Sequence, residues 1–253
     1  MRRFLRTYPD GGSPALVIDP RSLAWVVLHD ARDINQGNST PVNSWANRGS
    51  AGGNATPPFG NPPFFFEGVT STGQSLVQFI GSKQLHGSLS VTPMSQANGF
   101  TIAAYVFQDV VDAGSGGGLN AQSVYGNYTG TDFRMYSVIY PTLGPEVGGR
   151  TLSTGDNGTG VPSVTGAQSL ALTVTPPAGA SAGGSVRVYR NGVDIGGWSN
   201  WISAPNTDYN ISGNGVGNIC FKGSMCWVGM IDRALAPGTI KALHAFSRAF
   251  WGT

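Results

Sequence analysis

The chain has 253 residues, with 11% charged and 40% hydrophobic, 38 glycines, 16 prolines and a formal net charge of +2. So small a positive excess excludes charge-driven binding of nucleic acid or of an anionic membrane as the organising function. The apolar content can offset chain entropy, which excludes a disordered polymer, and scarce charge among many turn formers predicts an all-β protein.

Met1-Arg2-Arg3-Phe4-Leu5-Arg6 is basic, but Tyr8-Pro9-Asp10 follows where a secretory signal would place an apolar core. The chain is therefore expected to be made in a cytoplasm and not exported by the usual route. No apolar run nears the ~20 residues needed to cross a bilayer. Pro9, Pro14 and Pro20 predict an extended arm over residues 1–20, within which Leu16–Ile18 could add an edge strand. Arg2, Arg3, Arg6 and Arg21 read as a solvated basic arm or as an electrostatic anchor.

Next, the apolar run Leu23–Leu28 breaks into the acidic turn Asp30-Ala31-Arg32-Asp33, and a polar loop leads to Ser44-Trp45-Ala46-Asn47. Carboxylates in such turns commonly accept backbone amides. Pro57–Phe66 reads as a proline-stiffened loop. Its run Phe64-Phe65-Phe66 cannot all point inward from a strand, because side chains alternate, so at least one ring is expected to meet a loop, a partner or another subunit.

Strands are predicted at Ser75–Ile80, Leu85–Ser90, Phe100–Phe107, Phe133–Ile139, Ser169–Val174, Val186–Arg190, Asp208–Ile211 and Met225–Ile231. Ala113–Gly118 and Thr154–Gly158 read as turns or flexible loops. Asn191-Gly192 is the strongest hairpin signal, since both residues tolerate positive φ. Cys220 and Cys226 bracket a tight turn at Lys222-Gly223 and are expected to be reduced, partly buried thiols. Ile240, Leu243 and Phe246 or Ser247 fall at helical spacing behind Pro237, so one C-terminal helix is predicted. No repeat or linker divides the chain, and one domain over residues 21–253 follows the arm.

Five stretches, in this order, carry a resemblance. Ser22–Pro57 is one. Val77–Leu85 is similar to a V-x-F-x-G-x-x-x-L pattern, Gly99–Val106 to an "F-T-I" strand, and Val186–Val193 to an "lY-x-N-G-v" hairpin. Phe221–Gly223 with Val228–Leu243 completes the set through Asp232-Arg233-Ala234-Leu235. Together they resemble laminin-G-like domains of the concanavalin A-like lectin superfamily, of the type found in phage and bacterial proteins. Val110–Gln168 has no good counterpart. The resemblance implies a concanavalin A-like (laminin-G-like) two-sheet antiparallel β-sandwich jelly roll with one short C-terminal helix. It also implies calcium as the metal such a rim could hold, with Asp30 and Asp33 as candidate ligands; no other cofactor is expected. Trp25, Trp45, Trp227 and Trp251 lie in these motifs and are expected to be packing residues.

Glycosidases on such sandwiches resemble Glu-x-Asp-x-Glu on one strand, which places nucleophile and acid/base ~5 Å apart. Here Glu67 and Glu146 stand alone, and His29, His86 and His244 are scattered without a nucleophile elbow. The chain is therefore expected not to be an enzyme. Trp198, Asn200, Trp201 and Asn206 form the candidate carbohydrate platform, indoles stacking and amides hydrogen-bonding, with core packing as the alternative. Arg2, Arg3, Phe4, Arg6, Phe64, Phe65 and Phe66 are candidate subunit contacts. A fold that works outside cells, on a chain without a signal, leads to a first expectation of a tailed-phage virion component: a capsid decoration or cement protein, or a fibre or adhesin subunit. Its partners would be other virion proteins such as capsid or tail subunits, further copies of itself in an oligomer, and a host-surface glycan, with neither nucleic acid nor membrane. The alternative is a carbohydrate-binding lectin-like module of a bacterial protein, and a glycan-cleaving enzyme comes third.

Overall fold

The computed structural model describes residues 16–88, 99–111, 121–126, 133–139, 145–151, 155–175, 184–201, 208–213 and 219–252. Its strands, in chain order, begin with β1 (Val27–Asp30), β2 (Thr40–Pro41), β3 (Trp45–Ala46), β4 (Asn54–Ala55), β5 (Phe64–Phe66) and β6 (Leu76–Phe79). There follow β7 (Leu85–Ser88), β8 (Phe100–Gln108), β9 (Ala121–Gly126), β10 (Phe133–Ile139), β11 (Glu146–Thr151) and β12 (Gly155–Pro162). The last are β13 (Gly166–Thr175), β14 (Gly184–Arg190), β15 (Val193–Trp201), β16 (Asp208–Ile211) and β17 (Gly223–Ile231), then the helix α1 (Pro237–Trp251).

Among the described residues these strands form two large antiparallel sheets and one small pair. The larger has nine strands in the order β15-β14-β13-β8-β17-β6-β5-β2, with β1 also paired to β17. The smaller has six, in the order β12-β11-β10-β9-β16-β7, while β3 and β4 pair separately. The fold is thus the expected two-sheet antiparallel β-sandwich with one C-terminal helix.

Period-two alternation explains how the larger sheet is packed. Along β13, Leu170, Leu172 and Val174 enter the core between the sheets, while Ala171 enters a second core on the opposite face. Along β8, Phe100, Ile102, Ala104 and Val106 point inward and Ala103 and Tyr105 outward. Helix α1 roofs that outward face with Ile240, Leu243 and Trp251, so the sheet is dry on both sides. A register shift in β17 between Met225 and Trp227 puts both Cys226 and Trp227 under the helix. Hydrogen bonds fix the roof: Trp227 Nε1 donates to Ser247 Oγ at 3.0 Å and Tyr105 Oη to the Gly252 carbonyl. Pro237 opens the helix and Gly252, at φ 86°, ends it.

The hairpin at Asn191-Gly192 forms as expected, with φ of 54° and 77°. Three expectations are corrected. Leu16–Ile18 is no edge strand; it runs beside the helix, with Ile18 N donating to the Ala242 carbonyl. Thr154–Gly158 is not a turn throughout, because Gly155–Pro162 is strand β12, paired with β11. Phe64–Phe66 is likewise a strand: Phe65, 2% exposed, fills the inter-sheet core and Phe66 packs against the helix-side core, while Lys83 Nζ sits 4.4 Å from the Phe64 ring centroid. Alternation holds, and the Phe64 ring meets a loop residue, Lys83. Cys220 and Cys226 are buried free thiols, each with its pKa raised by burial.

Candidate functional site

The acidic turn after β1 is the densest charge cluster among the described residues. Asp30 is fully buried and caps a short 3-10 turn, Ala31–Asp33, by accepting from Arg32 N at 2.9 Å. Its carboxylate also accepts from Arg21 Nε at 3.0 Å and from Arg32 Nε at 2.9 Å. Arg32 reaches on to Asp19, at 2.9 and 3.1 Å. The other face of its guanidinium lies 5.0 Å from the ring centroids of Phe250 and Trp251, a cation–π contact that ties the turn to the helix. Burial works against the charge on Arg32, but the hydrogen bonds it donates to Asp30 and Asp19, with the charges of those carboxylates, together outweigh it and raise its pKa. For Asp19 burial pushes the pKa up, and the hydrogen bonds from Arg32 and from Arg21 N, with the charges of both guanidiniums, together more than reverse it, so it ends below the ordinary carboxylate value.

Asp33 is the second node. Its Oδ1 accepts from Arg21 Nη2 at 2.7 Å and from Arg48 Nη1 at 2.8 Å. One oxygen thus holds two guanidiniums side by side. Arg48 is placed by a segment that lies along the β1 edge: Arg48 N, Ser50 N and Ala51 N donate to the carbonyls of Leu28, Trp25 and Val26. Asn47 locks that segment, its Oδ1 accepting from Leu28 N and Gly49 N, both at 2.8 Å. Gly49 allows the approach, since a Cβ there would lie 2.1 Å from Val26 O.

Between this segment and the turn at Pro20–Leu23 lies an open cavity of about 330 Å³, lined by Arg21, Leu23, Ala24, Trp25, Leu28, Arg48 and Ser50. Trp25 and Leu28 are buried and supply an apolar floor; Arg48, Ser50 and Arg21 supply polar groups at the rim. The size and the mix of apolar wall with a few converging polar groups suit a small ligand.

The residues singled out in the sequence fare differently. Asp30 and Asp33 do come together, with the Asp30 carboxylate and Oδ1 of Asp33 bound by arginines and Oδ2 of Asp33 buried without a partner, and no group of three or more metal-ligating side chains occurs among the described residues. Trp198 is no free platform: opposite Val186 in β14, it is half-buried and packs against the inter-sheet core. The side chains of Asn200 and Trp201 lie outside the described residues, as do Asn206, Arg2, Arg3, Phe4 and Arg6. As a subunit contact Phe65 is corrected to a core residue. The packing roles of Trp25, Trp45, Trp227 and Trp251 hold, all four being buried. Sequence reasoning missed the pocket. Arg21 was assigned to the basic arm and Arg48 carried no signal; only the Ser44–Asn47 motif and the Asp30–Asp33 turn marked the neighbourhood.

No protein-family model and no curated protein matches this chain. Solved structures do. A Trypanosoma rangeli sialidase bound to a difluorinated nononic acid is 16% identical with a TM-score of 0.53, covering 98% of this chain and 37% of that one. The botulinum neurotoxin type G receptor-binding domain is 11% identical with a TM-score of 0.52, over 91% of this chain and 54% of that one. Domain 4 of a GH43 extracellular arabinanase from Geobacillus stearothermophilus, in complex with arabinotriose, is 14% identical with a TM-score of 0.48, over 87% and 98%. The chain spans just over a third of the sialidase chains it matches. These are likenesses of fold. They still correct one expectation: the chain was expected not to be an enzyme, but a sandwich matching nearly all of it forms part of a sialidase chain. The fold therefore gives no ground for excluding a glycosidase.

Proposed function

We propose that this chain is a carbohydrate-binding β-sandwich module whose sugar seat is the cavity beside β1. The observation that carries the reading is that cavity: an apolar floor of Trp25 and Leu28 under hydrogen-bonding groups of Arg21, Arg48 and Ser50. Sugar rings present an apolar face and a rim of hydroxyls, and this lining offers a counterpart to each. The likeness of fold to part of a sialidase chain and to a neurotoxin receptor-binding domain supports the same reading. The finer proposal of a virion component has no support from the comparisons, and with Phe65 in the core it loses one of its anchors.

The test is affinity electrophoresis of the full chain through gels carrying a panel of neutral and acidic polysaccharides, followed by calorimetry with matching oligosaccharides. Retardation by at least one polysaccharide, weakened in Ser50→Trp, which fills the cavity mouth, is the expected result. Free migration through every gel would overturn the reading. Release of reducing sugar, measured on the same panel, reports whether the module also cleaves what it holds.

A further inference from the structure

Resting on that reading, we infer that the sugar residue seated in the cavity carries a carboxylate, and that Arg48 and Arg21 clamp it. Asp33 Oδ1 accepts from one nitrogen of each guanidinium, so the two cations are held within two hydrogen-bond lengths of each other. Those bonds use Nη2 of Arg21 and Nη1 of Arg48, and Nε of Arg21 is bound to Asp30. Nη1 of Arg21, and Nε and Nη2 of Arg48, have no partner among the described residues, and both side chains line the cavity.

The polarity of the cluster is one-sided. Asp19, Asp30 and Asp33 do not line the cavity and are engaged by Arg21, Arg32 and Arg48, whereas the residues that do line it include two cations and no acid. A ligand entering there meets guanidinium forks first. The free Nε–Nη2 edge of Arg48, with Nη1 of Arg21 beside it, matches a carboxylate, which accepts paired N–H bonds, better than it matches a neutral hydroxyl. The placement is preorganised, because Arg48 N is bonded to the Leu28 carbonyl and Asn47 fixes the backbone on either side. Little side-chain ordering at Arg21 remains to oppose binding, since two acids already hold it. Ser50 and the Trp25–Leu28 floor are then left for a hydroxyl and the ring of the same residue.

The experiment uses the full chain and calorimetry with trigalacturonate, trimannuronate and sialyllactose, each as the free acid and as its carboxyl methyl ester. The ester keeps every hydroxyl, removes the charge and adds one methyl group. At least one free acid is expected to bind, with its ester at least tenfold weaker; Arg48→Ala should weaken the acid at least tenfold, and Arg48→Lys should restore only part of that loss. Arg48 is 47% exposed at its side chain, and an unfolding curve for each variant checks that the fold is kept. Equal binding of acid and ester, binding of neutral oligosaccharides alone, or undiminished acid binding by Arg48→Ala would overturn the inference while leaving the module a sugar binder. Failure to bind any carbohydrate, acidic or neutral, would remove the module reading itself.

Discussion

Gly49→Ala tests how the cavity wall is built. The added methyl would lie 2.1 Å from Val26 O and 2.7 Å from Val27 N, both backbone atoms of the strand beneath. Backbone cannot swing aside as a side-chain tip can, so the segment over residues 47–51 must lift. Three bonds are then at risk, those from Arg48 N, Ser50 N and Ala51 N to Leu28, Trp25 and Val26. At about 1 kcal/mol net each, their loss costs about 3 kcal/mol. With a urea m-value of about 3 kcal/mol/M for a chain this long, the midpoint should fall by about 1 M. Gly52→Ala is the control: Gly52 has φ of 63° with open space around its Cβ position, so only the left-handed backbone is penalised, by about 1 kcal/mol. Because Arg48 rides on the lifted segment, acidic-sugar binding should fall with stability in Gly49→Ala and persist in Gly52→Ala. A Gly49→Ala midpoint no lower than that of the control would refute the argument that close backbone contact places Arg48.

Phe65→Ala should cost about 3–5 kcal/mol, a core deletion, whereas Phe59→Ala, at a residue 57% exposed, should change the urea midpoint by less than the equivalent of about 0.5 kcal/mol; equal effects would contradict the packing of β5. His29 is fully buried against Tyr209, and burial lowers its pKa from 6.5 to about 3. Its contribution is therefore complete above pH 6.5 and is lost as the pH falls toward 3, where the unfolded chain takes a proton the folded one refuses. The slope is about 1.4 kcal/mol per pH unit, and His29→Gln should flatten it in urea titrations at pH 7, 5 and 4. Trp198→Ala should destabilise by about 2–4 kcal/mol without abolishing sugar binding; loss of binding in a variant as stable as the parent would reinstate the indole platform. Millimolar calcium should leave the melting temperature unchanged, since arginines occupy Asp30 and Asp33; a rise that reverses with chelator would show a metal site.

The sandwich was legible where strands alternate or end in a specific turn. Leu170–Val174 and Val186–Arg190 put apolar residues on alternate positions, and Asn191-Gly192 carries the two positive φ angles that a two-residue hairpin requires. Strand β12 was not legible. Its sequence, Gly-Asp-Asn-Gly-Thr-Gly-Val-Pro, has almost nothing apolar to alternate, and only pairing with β11 makes it a strand. The strand at Phe64–Phe66 was hidden behind the prolines before it, and its alternation sends Phe65 to the inter-sheet core and Phe66 to the helix-side core. The acidic turn was read correctly as a place where carboxylates cap backbone amides, but its main partners are arginines brought from before and after it in sequence. Arg21, Asp33 and Arg48 meet through tertiary pairing of the Asn47–Ala51 segment with the β1 edge, and no local pattern encodes that meeting.

The roof over the larger sheet has an experimental use. Cys226 lies beneath it with no solvent exposure, and burial holds its thiol well above the ordinary range. An alkylating reagent can reach that sulfur only in molecules whose helix has momentarily lifted, or whose whole domain has opened. The rate of modification, compared with that of a free thiol, therefore measures how often the helix undocks. Followed with and without a bound sugar, it would show whether occupancy of the cavity, whose Trp25 floor packs against Trp227 in the core that the helix covers, alters how often that helix lifts.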